Sequence, residues 1–169
     1  KSNNMKELLN IYLKTLQTQG DLDEAYKWKA INHFQDVWDI EANDFKQMFE
    51  SAFGQVHNLL YYNSLSFILN LVEHFPEVAR DMFRNLYNEE TALEARIVDF
   101  QKKANAVLPR VREVLDSDKV AAHQDERTIS VYLAFRFPEK YYLYKASFYR
   151  NLCDYLNVPT ERAGSRFLH

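Results

Sequence analysis

Residues 129–149 read ISVYLAFRFPEKYYLYKASFY and hold the densest mixture of aromatic and basic side chains in the chain. Aromatic rings stack on nucleobases and cations neutralise phosphates, and the same residue types also favour protein interfaces. They can equally fill the core of a helical domain. The stretch therefore predicts a nucleic-acid surface, a protein interface or a large part of the core.

The first half of this stretch is compatible with two kinds of secondary structure. From Ile129 to Phe137, large apolar residues alternate with smaller or polar ones, which is typical of a strand. The same residues also define one face of a helix, with Thr128 as its N-cap and Pro138 as its end. We favour the helix because the rest of the chain is strongly helical. A short extended segment is expected near residues 141–145, where tyrosines dominate.

Elsewhere, apolar residues recur at spacings of three and four, which predicts helices. The predicted helices cover residues 5–18, 22–38, 44–56, 65–75, 76–88, 89–115 and 147–156. Pro109 is expected to bend or split the longest of them, and the polar residues 116–127 are expected to form a loop. Only three glycines and four prolines argue against a many-stranded sheet. The predicted fold is mainly α, an irregular bundle of about seven to eight helices.

The length of 169 residues predicts a single helical domain over residues 1–169. Residues 1–4 precede Met5 and are interpreted as a tag remnant. The net charge of −3 excludes a generally basic surface, so a nucleic-acid site must be a local patch. Cys153 is the single cysteine, which excludes a disulfide framework and is compatible with the cytoplasm. No apolar run reaches the roughly 18 residues of a membrane helix, so no membrane partner is expected.

The sequence carries no motif for catalysis, a cofactor or a metal. There is no phosphate-binding glycine-rich loop and no His-x-x-x-His pair on one helical face. His33 with Asp36 and His123 with Asp125 are the nearest approaches to ligand pairs, and we interpret them as surface residues. Arg127 is expected to form a structural ion pair with Asp36 or Asp39. We therefore expect no catalytic, cofactor or metal site in this chain.

Three segments resemble the N-terminal region of McrB-type AAA+ proteins, the NTP-driven motor subunits of modification-dependent restriction systems. The segments are YKWKAINHFQDVWDI at 26–40, NLL at 58–60 and DERTISVYLAFRFPEKYYLYK at 125–145. The resemblance covers most of the chain, from about Met5 to Leu156. It rests on a similar order of short residue motifs rather than on a catalytic signature.

The resemblance implies a non-catalytic N-terminal recognition module of a longer protein, contributing DNA binding or targeting. NTP and Mg²⁺ would then be expected only in a motor domain that this chain does not contain, and oligomerisation would run through that motor. The candidate DNA- or partner-binding residues are Arg136, Lys140, Tyr141, Tyr142, Tyr144, Lys145 and Arg150. The alternative is a protein-interaction or regulatory module that docks on its own motor domain or on a partner nuclease.

Overall fold

A computed structural model describes residues 22–56 and 59–141 of the chain. This part contains six helices, α1 (Leu22–Val37), α2 (Phe45–Ala52), α3 (Tyr62–His74), α4 (Pro76–Leu86), α5 (Leu93–Leu115) and α6 (Glu126–Arg136), and no strand. The prediction of a mainly α fold is confirmed. The number of helices in this part is lower than the predicted seven to eight. The helices predicted over residues 5–18 and 147–156 lie outside the described residues, as does most of the extended segment predicted near 141–145.

Helix α6, which contains the first half of the aromatic stretch, is enclosed by the other helices. Its buried residues are Thr128, Ile129, Val131, Tyr132, Leu133, Ala134 and Phe135. These residues point in nearly every direction around the helix axis, which is typical of a helix that is covered on all sides. Helix α6 packs along α1, and the Tyr132 ring contacts Phe53, Phe83 and Phe100 at the end of α2 and in α4 and α5.

The burial of nearly every residue from Thr128 to Phe135 explains why the sequence of α6 is compatible with both a strand and a helix. A half-buried helix shows one apolar stripe, whereas a fully buried one shows apolar residues at every spacing. The predicted N-cap was wrong, because Asp125 and not Thr128 caps the helix. The Asp125 carboxylate accepts a hydrogen bond from the Thr128 backbone N–H at 2.8 Å, and Thr128 occupies the third helical position. The loop predicted over 116–127 consequently ends at Asp125.

The core is built around a cluster of aromatic rings. Phe53 has six ring neighbours at centroid distances of 4.6 to 6.2 Å, and they are Phe34, Trp38, Phe49, Phe83, Tyr132 and Phe135. Tilted and edge-to-face pairs of this kind contribute about 0.5–1.5 kcal/mol each beyond the area that they bury. The cluster therefore joins α1, α2, α4 and α6 into one core.

Three further predictions about the helices need correction. Helix α5 is not split at Pro109, because the ring is exposed and water can satisfy the carbonyl group that a proline leaves free. Helix α5 also begins at Leu93 rather than at residue 89. The Asn88 side chain accepts a hydrogen bond from the Glu90 backbone N–H at 3.1 Å, which holds this segment in a turn. Helix α3 begins at Tyr62, three residues earlier than predicted.

A buried arginine fixes the connection between α1 and α2 against α4. The Arg80 guanidinium donates hydrogen bonds to the backbone oxygens of Ile40 at 2.6 Å and Ala42 at 2.8 Å. It also lies over the Phe45 ring, 4.8 Å from the ring centroid, and forms an ion pair with Glu77. Arg80 is 8% exposed, so its charge is compensated by protein groups rather than by water.

Replacing Arg80 with Met should lower the free energy of unfolding by about 2–3 kcal/mol, because the hydrogen bonds to a charged donor are lost. Urea denaturation followed by circular dichroism measures this change. The matched control is Arg84→Met in the same helix, where an exposed arginine pairs with Glu41 and Asp81. Exposed ion pairs contribute little to stability, so the control should lose less. Equal losses in the two variants would show that Arg80 has no special structural role.

Candidate functional site

Three of the seven predicted binding residues lie in the described part of the chain, at the end of α6. The Arg136 guanidinium lies over the Phe137 ring at 4.8 Å, and the Lys140 ammonium lies 6.0 Å from the same ring centroid. Lys140 also donates a hydrogen bond to the Glu89 carboxylate, which raises the pKa of the Lys140 ammonium. Both cations are thus already engaged by groups of this chain. The other four predicted residues, Tyr142, Tyr144, Lys145 and Arg150, lie outside the described residues.

Tyr141 forms a hydrogen bond with a buried arginine of the fold. Its half-buried side chain accepts a hydrogen bond from Arg96 at 3.0 Å, and Arg96 also donates to the Leu86 backbone oxygen at 2.8 Å. Arg96 is 5% exposed, and its Nε has no hydrogen-bond partner among the residues described. Tyr141 therefore helps to compensate a buried cation, and its hydroxyl group is directed towards the core.

A cleft on another part of the surface combines exposed and polar groups, and no local sequence pattern indicates it. We call it the Tyr61 cleft; it has a volume of about 350 Å³ and is lined by Leu59, Leu60, Tyr61, Ser64, His123, Asp125, Arg127 and Thr128. The start of α3 forms one wall, and the start of α6 with the segment before it forms the other. Two regions that are about sixty residues apart in sequence meet here, as the hydrogen bond between Ser64 and His123 illustrates.

The mouth of the cleft carries exposed aromatic area. Tyr61 is 62% exposed, and its ring meets the His123 ring edge to face at a centroid distance of 5.8 Å. The next residue, Tyr62, is 78% exposed and does not line the cleft. Large exposed aromatic side chains are uncommon on surfaces that stay in water and are enriched at binding sites.

The opposite wall is held in an unusual backbone conformation. His123 has a φ of 49°, in the left-handed region that non-glycine residues adopt rarely. The His123 backbone oxygen accepts a hydrogen bond from the Ser64 hydroxyl at 2.7 Å. The Thr128 hydroxyl donates to Ser64 Oγ at 3.2 Å. These bonds compensate the unfavourable backbone conformation and leave the His123 side chain on the surface.

A buried glutamine completes the polar network beneath this wall. The Gln124 amide donates to the backbone oxygens of Ser64 at 3.0 Å and of Ala122 at 2.8 Å. The Gln124 side-chain oxygen accepts a hydrogen bond from the Tyr132 hydroxyl at 2.8 Å. Gln124 thus makes hydrogen bonds with both ends of its amide group, which fixes its orientation. The network connects the surface segment directly to the aromatic core.

The charged groups of the Tyr61 cleft lie on the wall that the start of α6 forms. The Asp125 carboxylate uses Oδ1 to cap α6, and Asp125 itself is exposed. Arg127 is also exposed, and among the ion pairs of the described residues none involves it. The structural ion pair predicted between Arg127 and Asp36 or Asp39 is therefore not formed. The cleft offers one cation and one anion to a ligand.

A second cleft adjoins the first on the side of α5. We call it the Gln101 cleft; it has a volume of about 430 Å³ and is lined by Gln101, Ala104, Asn105, Ala122, His123, Gln124 and Asp125. The two clefts share His123 and Asp125. Residues 122–125, of which His123 and Asp125 are exposed, therefore form the boundary between the two clefts, which we call the rib. The Gln101 side chain donates a hydrogen bond to the Gln124 backbone oxygen at 3.2 Å.

The metal and membrane predictions can be compared with the described residues. His33 contacts the Ser51 backbone oxygen at 2.8 Å instead of pairing with Asp36. Within residues 22–56 and 59–141, no group of three or more His, Cys, Asp or Glu side chains is arranged to hold a metal ion. In the same part of the chain, no helix combines the length and the apolar character that crossing a bilayer requires.

Comparisons with protein-family models, with curated proteins and with solved structures found no match to this chain.

The buried hydroxyl of Tyr132 is expected to lower the free energy of unfolding as the pH becomes alkaline. Burial raises the pKa of Tyr132 above its ordinary value, so the unfolded chain releases this proton at a lower pH than the folded chain does. Stability is then fully present below about pH 10 and falls as the pH rises further, by up to about 1.4 kcal/mol per pH unit for one proton.

This prediction can be measured by urea denaturation between about pH 8 and pH 11, a range that spans the ordinary tyrosine pKa. Tyr132→Phe should reduce the alkaline slope of the free energy of unfolding. The control is Phe34→Leu, which alters the core but removes no ionisable group and should keep the wild-type slope. An unchanged slope in Tyr132→Phe would contradict the assignment.

Proposed function

We propose that this chain is a non-catalytic recognition module that binds a partner protein at the Tyr61 cleft. The observation that carries this proposal is the exposed Tyr61 on one wall of the cleft together with Arg127 on the other. Arg127 has no ion-pair partner among the described residues, and the buried network holds its wall in place. Tyrosine and arginine are the residue types that contribute most to binding at protein interfaces. A wall that is ordered before binding reduces the entropic cost of association.

The charges near the cleft favour a protein over DNA as the partner. Asp125 is the N-cap of α6 and Glu126 is its first residue, so two acidic residues directly precede Arg127 and the local field is not positive. Affinity for DNA depends on several cations that face phosphates together. A protein interface needs only a few anchors and tolerates balanced charges.

The wider setting of the module follows from the sequence resemblance. We propose that it belongs to a McrB-like AAA+ protein of a bacterial restriction system, acts in the cytoplasm, and docks on its own motor domain or on a partner nuclease. NTP, Mg²⁺ and oligomerisation would belong to the motor. The resemblance at 26–40 and 125–145 supports this setting.

Site-specific photocrosslinking tests the proposed function. The probe p-benzoylphenylalanine replaces Tyr61 in the full-length protein in its own host, and mass spectrometry identifies the products. We expect crosslinks to one protein or to another domain of the same chain. The matched control places the probe at Val114, which is 48% exposed on α5, and should give no such product. Equal crosslinking from both positions, or none from position 61, would contradict the proposal.

DNA binding through the end of α6 is the second candidate. It is favoured by the two cations, Arg136 and Lys140, that flank the Phe137 ring. Lys145 and Arg150 follow in the sequence. The competing observation is that Lys140 already pairs with Glu89, so phosphate contacts would have to displace this carboxylate.

Titration of labelled duplex and single-stranded DNA, with and without methylcytosine, tests the DNA candidate. Binding through phosphates should be strong at about 50 mM salt and much weaker at about 200 mM. The double variant Lys140→Glu, Lys145→Glu should abolish it. The matched control changes two other lysines, Lys102→Glu and Lys119→Glu, which are exposed outside this stretch. Absence of binding at about 50 mM salt would exclude the DNA candidate.

A further inference from the structure

We propose that the partner contributes an extended, uncharged peptide segment that crosses the rib of residues 122–125 and occupies the Tyr61 and Gln101 clefts together. This inference rests on the proposed function and names the kind of partner. The rib has a cleft on each flank, and the two clefts share His123 and Asp125. A segment that fills both clefts must therefore pass over the rib, which a narrow extended chain can do.

The charges around the rib match a neutral dipolar ligand. Asp125 supplies an acceptor and Arg127 supplies a donor to the same cleft. A peptide group carries one N–H donor and one C=O acceptor, so it can use both residues without adding charge. An acidic ligand would face Asp125, and a basic one would face Arg127. The complementarity of charge therefore selects a main chain flanked by uncharged side chains.

The Gln101 cleft provides side-chain amide groups that can also form hydrogen bonds with a peptide main chain. Gln101 and Asn105 are four residues apart on α5, which places their side chains on one face of the helix, and both line the cleft. Asn105 is exposed, and its side chain makes no hydrogen bond within the described residues. A side-chain amide carries both a donor and an acceptor. Asn105 can therefore bind a peptide group at both of its polar atoms.

The Tyr61 cleft provides the apolar anchor. Leu59 and Leu60 line it together with the exposed Tyr61, so one large aliphatic or aromatic side chain of the peptide can be buried there. Such an anchor in a preformed pocket is the usual source of affinity in short-peptide recognition. The polar contacts over the rib would then set the direction and register of the peptide.

The experiment selects peptides from a random-sequence phage library on the full chain and measures the binding of the enriched peptides by fluorescence polarisation. We expect enrichment of uncharged peptides that share one large apolar residue. Tyr61→Ala and Asn105→Ala should each weaken binding by about tenfold. The matched control is Tyr62→Ala, which removes a neighbouring exposed tyrosine that lines neither cleft and should leave the affinity nearly unchanged. Affinity should also change little between about 50 and 200 mM salt, unlike binding to phosphates.

Failure of this inference is distinguishable from failure of the proposed function. If no peptide is enriched while position 61 still crosslinks to a protein, the partner docks through a folded surface and the inference is wrong. Enriched peptides that are charged, or that bind Tyr61→Ala as well as wild type, would also overturn it. If neither peptides nor crosslinks are found, both the inference and the proposed function are wrong.

Discussion

The hydrogen bond from the Tyr132 hydroxyl to the Gln124 side chain joins the two parts of this structure that matter most. The Tyr132 ring belongs to the aromatic core, where it contacts Phe83 at a centroid distance of 5.1 Å. Its hydroxyl group is buried and requires a partner, and Gln124 supplies one at 2.8 Å. Gln124 in turn holds the backbone of Ala122 and Ser64. The position of the surface rib therefore depends on the packing of the core.

Most of the fold could be predicted from spacing alone. The apolar stripes of α2 and α4 place Phe49 and Phe83 in the core, and the structure buries both completely. Helix α6 was harder to assign, because burial on all sides removes the periodicity that distinguishes helices from strands. The N-cap of α6 was harder still to predict. Asp125 and Thr128 are both residues that favour the N-cap position, and only the tertiary contacts of the Thr128 hydroxyl with Ser64 separate them.

The candidate site could not be predicted to the same extent, because it is made by contacts between distant segments. Tyr61 lies between the helices predicted over 44–56 and 65–75, and His123 lies in a polar loop. No local pattern indicates that their rings meet. The mixture of aromatic and basic residues around Lys140 and Tyr141 was a stronger signal in the sequence. In the structure, Lys140 contacts Glu89 and Tyr141 contacts Arg96. Part of the aromatic and basic pattern therefore reflects contacts within the fold.

The contact between the two ends of the described chain has a consequence for the order of folding. The Gln35 side chain in α1 donates to the Phe135 backbone oxygen across 100 residues of sequence, whereas α3 and α4 are joined through the single residue Phe75. Closing a short loop loses little chain entropy, and a long-range contact loses more. We expect the α3–α4 pair to form early and the docking of α1 on α6 to form late. The rib is held by hydrogen bonds with Ser64 in α3 and Tyr132 in α6, so it would reach its final shape only when these two helices meet.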